Sequence, residues 1–169
     1  MLLLPYYLCV GSGKKKRKTP NAIYFSDRQG LPLAMSEPQK GKHNDLHEIH
    51  LRVEEIVSQL KDCGLRVDGL FNNADAGFDA KTFRRALEGH EIIANVCPNP
   101  RDGEPGEDYF FDPELYKERS VIERTNAWMD GFRSILTRYD TSNSSWKGWN
   151  FLAFAVILIK KNHKKKKFK

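Results

Sequence analysis

Short apolar runs alternate with amphipathic stretches along most of this chain. Residues 21–25 and 31–36 are apolar runs on either side of Ser-Asp-Arg-Gln-Gly, a composition typical of a hairpin loop between two strands. From 46 to 60, apolar residues recur every three or four positions, which predicts a helix capped by Asp45 and ending near Gly64. The first half of the chain therefore predicts a β-hairpin and a helix that covers one face of a sheet.

The second half of the chain continues the alternation of strands and helices. Its apolar runs are short and end at Gly, Pro or Asp, as expected for strands and helices packed in layers. Asp75 falls at or just past the C-terminal end of the first of these runs. The alternation predicts an α/β layered domain. The predicted elements are a strand at 68–73, a short helix at 80–87, a strand at 92–97, a loop at 99–106 and a long helix opening at Asp112-Pro113.

Residues 1–13 show neither a helical nor a strand period, and a run of Lys and Arg follows them directly. We interpret residues 1–18 as a non-native or disordered basic leader. A chain of 169 residues, 40% of them hydrophobic, is long enough for one domain with a core and too short for two. The single domain is expected to cover residues 19–159, and a lysine-rich tail follows at 160–169.

Positive charge is concentrated near the two ends of the chain. Residues 14–18 and 160–169 hold five and seven basic residues and no acidic ones, whereas the formal net charge is only +6, so the remainder is net negative. One such run is often only a solubilising tail, but two favour a polyanionic partner, most commonly nucleic acid. Three cysteines without a close pair argue against a disulfide framework and fit a reducing cytoplasm.

Spacing alone does not single out a catalytic residue. Asp75 is followed by Ala-Gly, which is typical of a turn after a strand. The predicted long helix carries a polar stripe opposite its apolar face, and a solvated surface gives the same pattern. The stripe consists of Tyr116, Arg119, Glu123, Asn126 and Asp130.

Longer motifs change this picture, because they resemble DDE transposases of bacterial insertion sequences. The segment 73–79, Asn-Ala-Asp-Ala-Gly-Phe-Asp, resembles the surroundings of the second catalytic aspartate. The spacing Tyr116-x2-Arg119-x3-Glu123 resembles the signature around the third carboxylate, and residues 19–38 resemble the strand pair that follows the first aspartate. Each motif alone is weak, but their order along one chain makes the resemblance specific over residues 14–167.

The resemblance implies a ribonuclease H-like α/β fold, in which a mixed sheet is flanked by helices. In that fold three carboxylates hold two Mg²⁺ or Mn²⁺ ions about 4 Å apart, which activate a hydroxyl and neutralise the leaving oxygen during DNA cleavage and strand transfer. By resemblance, Asp75 and Glu123 are the catalytic metal ligands. Arg133 would replace a basic residue that the family often has where this chain has Asp130. The residues expected to contact DNA are Tyr116, Arg119, Arg133, Lys14, Lys15, Lys16, Arg17 and Lys18.

The first of the three carboxylates has no counterpart in the sequence. Residues 1–13 contain neither Asp nor Glu, and Asp27 lies in the predicted hairpin turn, at the wrong end of the strands. We therefore expect a ribonuclease H-like sheet that lacks its first strand, in a truncated or frame-disrupted element copy. Because a missing ligand leaves excess positive charge among the ions, the chain alone is expected neither to cut nor to join DNA.

Other functions are compatible with the same residues. The chain could be a DNA-binding regulator without catalysis that competes with an intact transposase copy, or a nuclease of the same fold, since fold does not dictate substrate. An apolar run at 151–159 beside the lysines suits a membrane surface, although no stable membrane association is expected. His43, His47 and His50 suggest zinc, but a cap at Asp45 would leave His43 outside the helix. The expected partner is DNA carrying the element's terminal repeats, in the nucleoid of the cytoplasm.

Overall fold

A computed structural model describes residues 7–12, 21–40, 43–99, 109–137 and 142–166, and within them it contains a five-stranded mixed sheet. The strands are short because turns follow each apolar run closely. They are β1 (Tyr7–Ser12), β2 (Ile23–Ser26), β3 (Pro32–Met35), β4 (Phe71–Ala74) and β5 (Ile93–Val96).

The spatial order of the strands is β3-β2-β1-β4-β5, so the first strand in the sequence is the central strand of the sheet. β1 is antiparallel to β2, with Gly11 opposite Tyr24, and parallel to β4, with Cys9 opposite Asn73. β2 and β3 form the predicted hairpin, and β4 and β5 are parallel. The expected α/β architecture, in which helices flank a mixed sheet, is confirmed.

The expectation that the first strand is missing is wrong. Residues 7–12, which we assigned to a leader, form β1 and pair with strands on both sides. The strand escaped prediction because a central strand in a layered domain need not alternate apolar and polar residues, so the two-residue period is absent. The remaining residues of the expected leader lie outside the described part of the chain.

Helices cover both faces of the sheet, and two 3-10 turns lie in the connections, one between β4 and the second helix and one between the third and fourth helices. The turns are Ala76–Phe78 and Lys117–Ser120. The helices are α1 (Ile49–Asp62), α2 (Lys81–Glu88), α3 (Pro113–Tyr116), α4 (Val121–Asp130), α5 (Arg133–Leu136) and α6 (Asn143–Lys166).

α1 and α2 cover one face of the sheet, and we call their shared apolar interior the first core. Phe25 from β2, Ile56 from α1 and Phe83 from α2 are fully buried there. α1 confirms the predicted helix but begins later than expected. Asp45 does not cap it, because Asp45 accepts a hydrogen bond from the side-chain amide of Asn21 at 2.5 Å and the helix starts only at residue 49.

α4 and α6 cover the opposite face, and we call their interior the second core. Tyr24 from β2 is buried in it with Met129 and Phe154, and its hydroxyl donates a hydrogen bond to the Asn150 side chain at 2.8 Å. The long helix predicted from Asp112 is divided into three helices and a 3-10 turn. In the part of the chain that the structure describes, no helix has the length and apolar character needed to cross a membrane.

Candidate functional site

Asp75 follows β4 directly and starts the 3-10 turn. This confirms its predicted position at the end of a strand. Its side chain is exposed, and Oδ1 accepts a hydrogen bond from the backbone N–H of Gly77 at 2.9 Å. A β-carbon at position 77 would lie 3.0 Å from that oxygen, a tighter contact than most β-carbons make. Glycine at 77 therefore leaves room for the Asp75 carboxylate beside the 3-10 turn.

Two buried asparagines hold the segment that leads from β5 towards Glu123. The Asn95 side-chain amide donates to Asn73 Oδ1 at 2.7 Å and to the Asp112 carbonyl at 3.1 Å, while Asn95 Oδ1 accepts from the Asp112 backbone N–H at 2.8 Å. Asn73 donates in turn to the Leu115 carbonyl at 3.0 Å. Both asparagine side chains are fully buried, so water does not compete for these bonds. They fix α3 beside β4 and β5.

Tyr116, Arg119 and Glu123 lie in sequence along the segment that α3 begins. The Arg119 guanidinium lies 5.7 Å from the centre of the Tyr116 ring, and one of its nitrogens lies 3.9 Å from Glu123 Oε1. The Glu123 side chain is 69% exposed, so this ion pair is weak and leaves most of the carboxylate accessible to a ligand. Three members of the predicted stripe therefore lie in succession, although the segment that carries them crosses from α3 through the 3-10 turn into α4.

Asp75 is an electrostatic neighbour of Tyr116. Burial raises the pKa of the Tyr116 hydroxyl; Arg119 opposes that shift, and Cys97 and Asp75 add to it. The 3-10 turn that carries Arg119 lies against both β1 and β4, and α4 lies against β1. A series of neighbours thus runs from Asp75 through Tyr116 and Arg119 to Glu123, at the edge where the parallel strands end.

The residues present do not fit a site for two divalent ions. Such ions take several hard oxygen ligands each, and a pair of them needs carboxylates from more than two side chains. Among the described residues, no three His, Cys, Asp or Glu side chains come together in a way that could hold an ion. β1, the strand between the hairpin and β4, has the sequence Tyr-Leu-Cys-Val-Gly-Ser and contributes no carboxylate.

The remaining predicted DNA contacts are spread more widely. Arg133 is exposed at the start of α5, beyond the end of α4, and so lies outside the series from Asp75 to Glu123. The basic run at 14–18 lies outside the described residues. The lysine-rich tail begins within α6, which continues to Lys166.

The hairpin turn docks on the helix that carries Glu123. Thr125 Oγ1 donates to the Gly30 carbonyl at 2.8 Å in a buried position, and the Arg124 guanidinium donates to the Gln29 carbonyl at 3.3 Å. Within the turn, Asp27 Oδ1 accepts from the backbone N–H groups of Gln29 and Leu31. The turn therefore helps to set the position of α4, and with it that of the candidate carboxylate.

We expect Gly30→Ala to lower the free energy of unfolding by about 2 kcal/mol, because it combines two penalties. Gly30 has a φ of 80°, a left-handed conformation that costs a non-glycine residue roughly 1–2 kcal/mol. An added β-carbon would also lie 3.2 Å from the Val121 carbonyl oxygen of α4, which must then shift. Urea denaturation measures the effect.

Gly69→Ala is the matched control for this prediction. Gly69 has a φ of 75° and no atom within 4 Å of the added β-carbon, so it isolates the backbone penalty. Equal losses in the two variants would show that the close approach of the added β-carbon to the Val121 carbonyl oxygen adds no penalty.

Sequence reasoning missed the residues that hold the site in position. Asn73 lies within the motif that resembles the transposases, yet only Asp75 drew attention there. Asn95 is a polar residue in an otherwise apolar strand, and this was the one signal in the sequence that its side chain makes buried hydrogen bonds. Thr125 gave no signal, because its partner is a backbone carbonyl 95 residues away.

Comparison with known families supports the sequence resemblance. The sequence model of one family, described as a transposase DDE domain, matches residues 11–158 of the chain. No curated protein matches the chain.

Solved structures of retroviral proteins are similar to this chain at low identity. A chain of the simian T-cell lymphotropic virus intasome, in complex with the PP2A regulatory subunit B56 gamma, is 14% identical with a TM-score of 0.49; the match covers 90% of this chain and 48% of that one. This chain thus spans about half the length of that protein. The HTLV-2 integrase catalytic core domain in complex with magnesium, in its dimeric form, is also 14% identical with a TM-score of 0.49, over 90% of this chain and 86% of the other.

Proposed function

Because this chain belongs to the transposase DDE domain family, we propose that it binds the DNA ends of an insertion element but does not itself cut or join them. The observation that carries the proposal is the composition of β1. This central strand lies beside β4, at whose end Asp75 is exposed, and it contains no acidic residue.

The missing carboxylate weakens the site through electrostatics. Two divalent cations close together repel each other strongly, and anionic ligands between and around them must offset that repulsion. Asp75 and Glu123 supply two negative charges to a site that the family builds from three. The ions that activate the attacking hydroxyl and neutralise the leaving oxygen would then bind too weakly to support the reaction.

DNA binding does not depend on the missing carboxylate. It draws on positive side chains that neutralise phosphates, and these include Arg119, Arg133 and the run at 14–18. On this proposal the chain acts in the nucleoid of the cytoplasm and occupies terminal repeats that an intact transposase copy would otherwise use. It would thereby regulate transposition rather than catalyse it.

The test combines a cleavage assay with a binding assay on one DNA. We expect no cleaved or joined product from the purified chain with Mg²⁺ or Mn²⁺ and a duplex carrying the element's ends, under conditions in which an intact family member reacts. The same duplex should bind to the chain, and Asp75→Ala and Glu123→Ala should leave that binding unchanged or slightly tighter, since each removes a negative charge. Cleavage that depends on the metal and disappears in Asp75→Ala would refute the proposal.

A further inference from the structure

A hollow of about 370 Å³ lies where the hairpin turn, α4 and α6 meet. Two cationic side chains line it, and its lining contains no acidic residue. Its size is at the lower end of the range for sites that hold small ligands or parts of larger ones. The lining residues are Gln29, Leu31, Arg124, Trp128 and Lys161.

The two cations of the hollow have no carboxylate partner among the described residues, unlike Arg28 and Lys117. Arg28 pairs with Glu118 at 2.8 Å, and Lys117 pairs with Glu114 at 2.7 Å. Arg124 donates only to a backbone carbonyl, and Lys161 contacts a ring. Their charge is therefore not neutralised within the described protein, and an anion could bind both.

The Trp128 ring contacts one of these cations, Lys161. The Lys161 ammonium lies 3.8 Å from the centre of the Trp128 ring, a distance at which the ring face attracts a cation. Without this contact a lysine near the C-terminal end of a long helix would sample many rotamers. The contact thus favours a Lys161 rotamer beside the Trp128 ring, and the ring adds an apolar wall to the hollow.

The hollow borders the candidate site. Arg124 follows Glu123 directly on α4, and successive helical residues are rotated by about 100°, so the two side chains lie on adjacent stripes of one helix. α6 then carries the lysine run away from Lys161 as far as Lys166.

We propose that this hollow binds one phosphodiester of a DNA strand. Arg124 and Lys161 contact the phosphate oxygens, and Trp128 and Leu31 pack against the deoxyribose. Guanidinium and ammonium groups are the usual protein donors to DNA phosphates, and a phosphate contact sets the register of the strand without reading its sequence. The inference rests on the proposed function, because it assumes that the chain binds DNA, and it says where one phosphate is held.

The test is the salt dependence of binding to a fluorescent 20-base-pair duplex, measured by anisotropy with the full chain. Each phosphate contact contributes about 0.9 to the slope of log K against log salt concentration. Arg124→Ala and Lys161→Ala should each lower the slope by about 1 and weaken binding at low salt, whereas Arg124→Lys should retain the slope. The control variants are Lys81→Ala and Arg85→Ala, which remove the same charge from exposed positions on α2, across the sheet; their slopes should match that of the unaltered chain.

Two outcomes would overturn different statements. In the first, the unaltered chain binds DNA while Arg124→Ala and Lys161→Ala give the same slope as the α2 controls. That result would overturn the assignment of the hollow and leave the proposed function intact. No binding by the unaltered chain at any salt concentration would overturn the proposed function, and the assignment with it.

A titration with inorganic phosphate tests whether the hollow binds the free anion rather than a phosphate group of DNA. The indole N–H resonance of Trp128, assigned with Trp128→Phe, should shift when the duplex is added. It should not shift with millimolar inorganic phosphate at matched ionic strength. A shift with phosphate that the duplex does not produce would overturn the proposal in favour of a site for the free anion.

Discussion

A Gly11→Asp variant should bind Mn²⁺ roughly tenfold or more tightly than the unaltered chain, since even the loss of groups that merely orient metal ligands changes affinity by about 10–100-fold. Position 11 follows from the sheet register. Cys9 is opposite Asn73 in the parallel pair of β1 and β4, so two residues further along Gly11 comes beside Asp75. Gly11 is also opposite Tyr24, which packs in the second core, so this position faces α4.

Isothermal titration with Mn²⁺ measures the expected gain, and three variants interpret it. Gly11→Asn adds a side chain of the same size without the charge and should give no gain. Ser58→Asp adds the same charge at an exposed position of α1, on the other face of the sheet, and should give none either. Combining Gly11→Asp with Glu123→Gln should abolish most of the gain. A gain that survives this combination would mean that Glu123 does not share an ion with position 11.

Asn73→Val should lower the free energy of unfolding by about 2–3 kcal/mol, because it leaves buried hydrogen-bonding groups without partners. The change removes the acceptor of the Asn95 amide in β5 and the donor to the Leu115 carbonyl in α3. We also expect faster hydrogen exchange at the backbone amides of α3, since the helix loses its attachment to β4. Urea denaturation and exchange followed by NMR measure the two effects.

The neighbouring residue provides a control with the opposite expected sign. Asn72 is equally buried in β4, but neither its side-chain oxygen nor its nitrogen finds a hydrogen-bond partner among the described residues. Asn72→Val should therefore raise the free energy of unfolding by about 1 kcal/mol, because it removes the cost of burying an unpaired amide. If both substitutions destabilise the chain to the same extent, the bonds that Asn73 makes are not what holds α3.

Local patterns in the sequence predicted those parts of the fold that local physics determines. The hairpin of β2 and β3 has turn-forming residues between two apolar runs, and α1 has a clear helical period. Asp75 was placed correctly because a strand that ends in a polar turn is visible in the sequence itself. The family resemblance, carried by three motifs in order, is confirmed by the match over residues 11–158.

Features that depend on distant contacts could not be predicted in the same way. β1 has no period of its own, and it becomes a strand by pairing with residues on both sides, including β4 more than 60 positions away. Asp45 is well placed for a cap, but Asn21, 24 residues earlier, takes its carboxylate. The assignments of Asp75 and Glu123 as metal ligands stay predictions, which the metal-binding experiment addresses.

The central place of β1 distinguishes two ways in which such a gene can decay. A substitution that removes an acidic residue from this strand leaves every backbone hydrogen bond of the sheet in place. A deletion that removes the strand separates β2 and β3 from β4 and β5, and leaves two-stranded ribbons that are marginal in water by themselves. On the proposed function, a substitution can therefore remove the carboxylate from this strand while the sheet still folds, whereas a deletion of the strand removes the sheet along with the site.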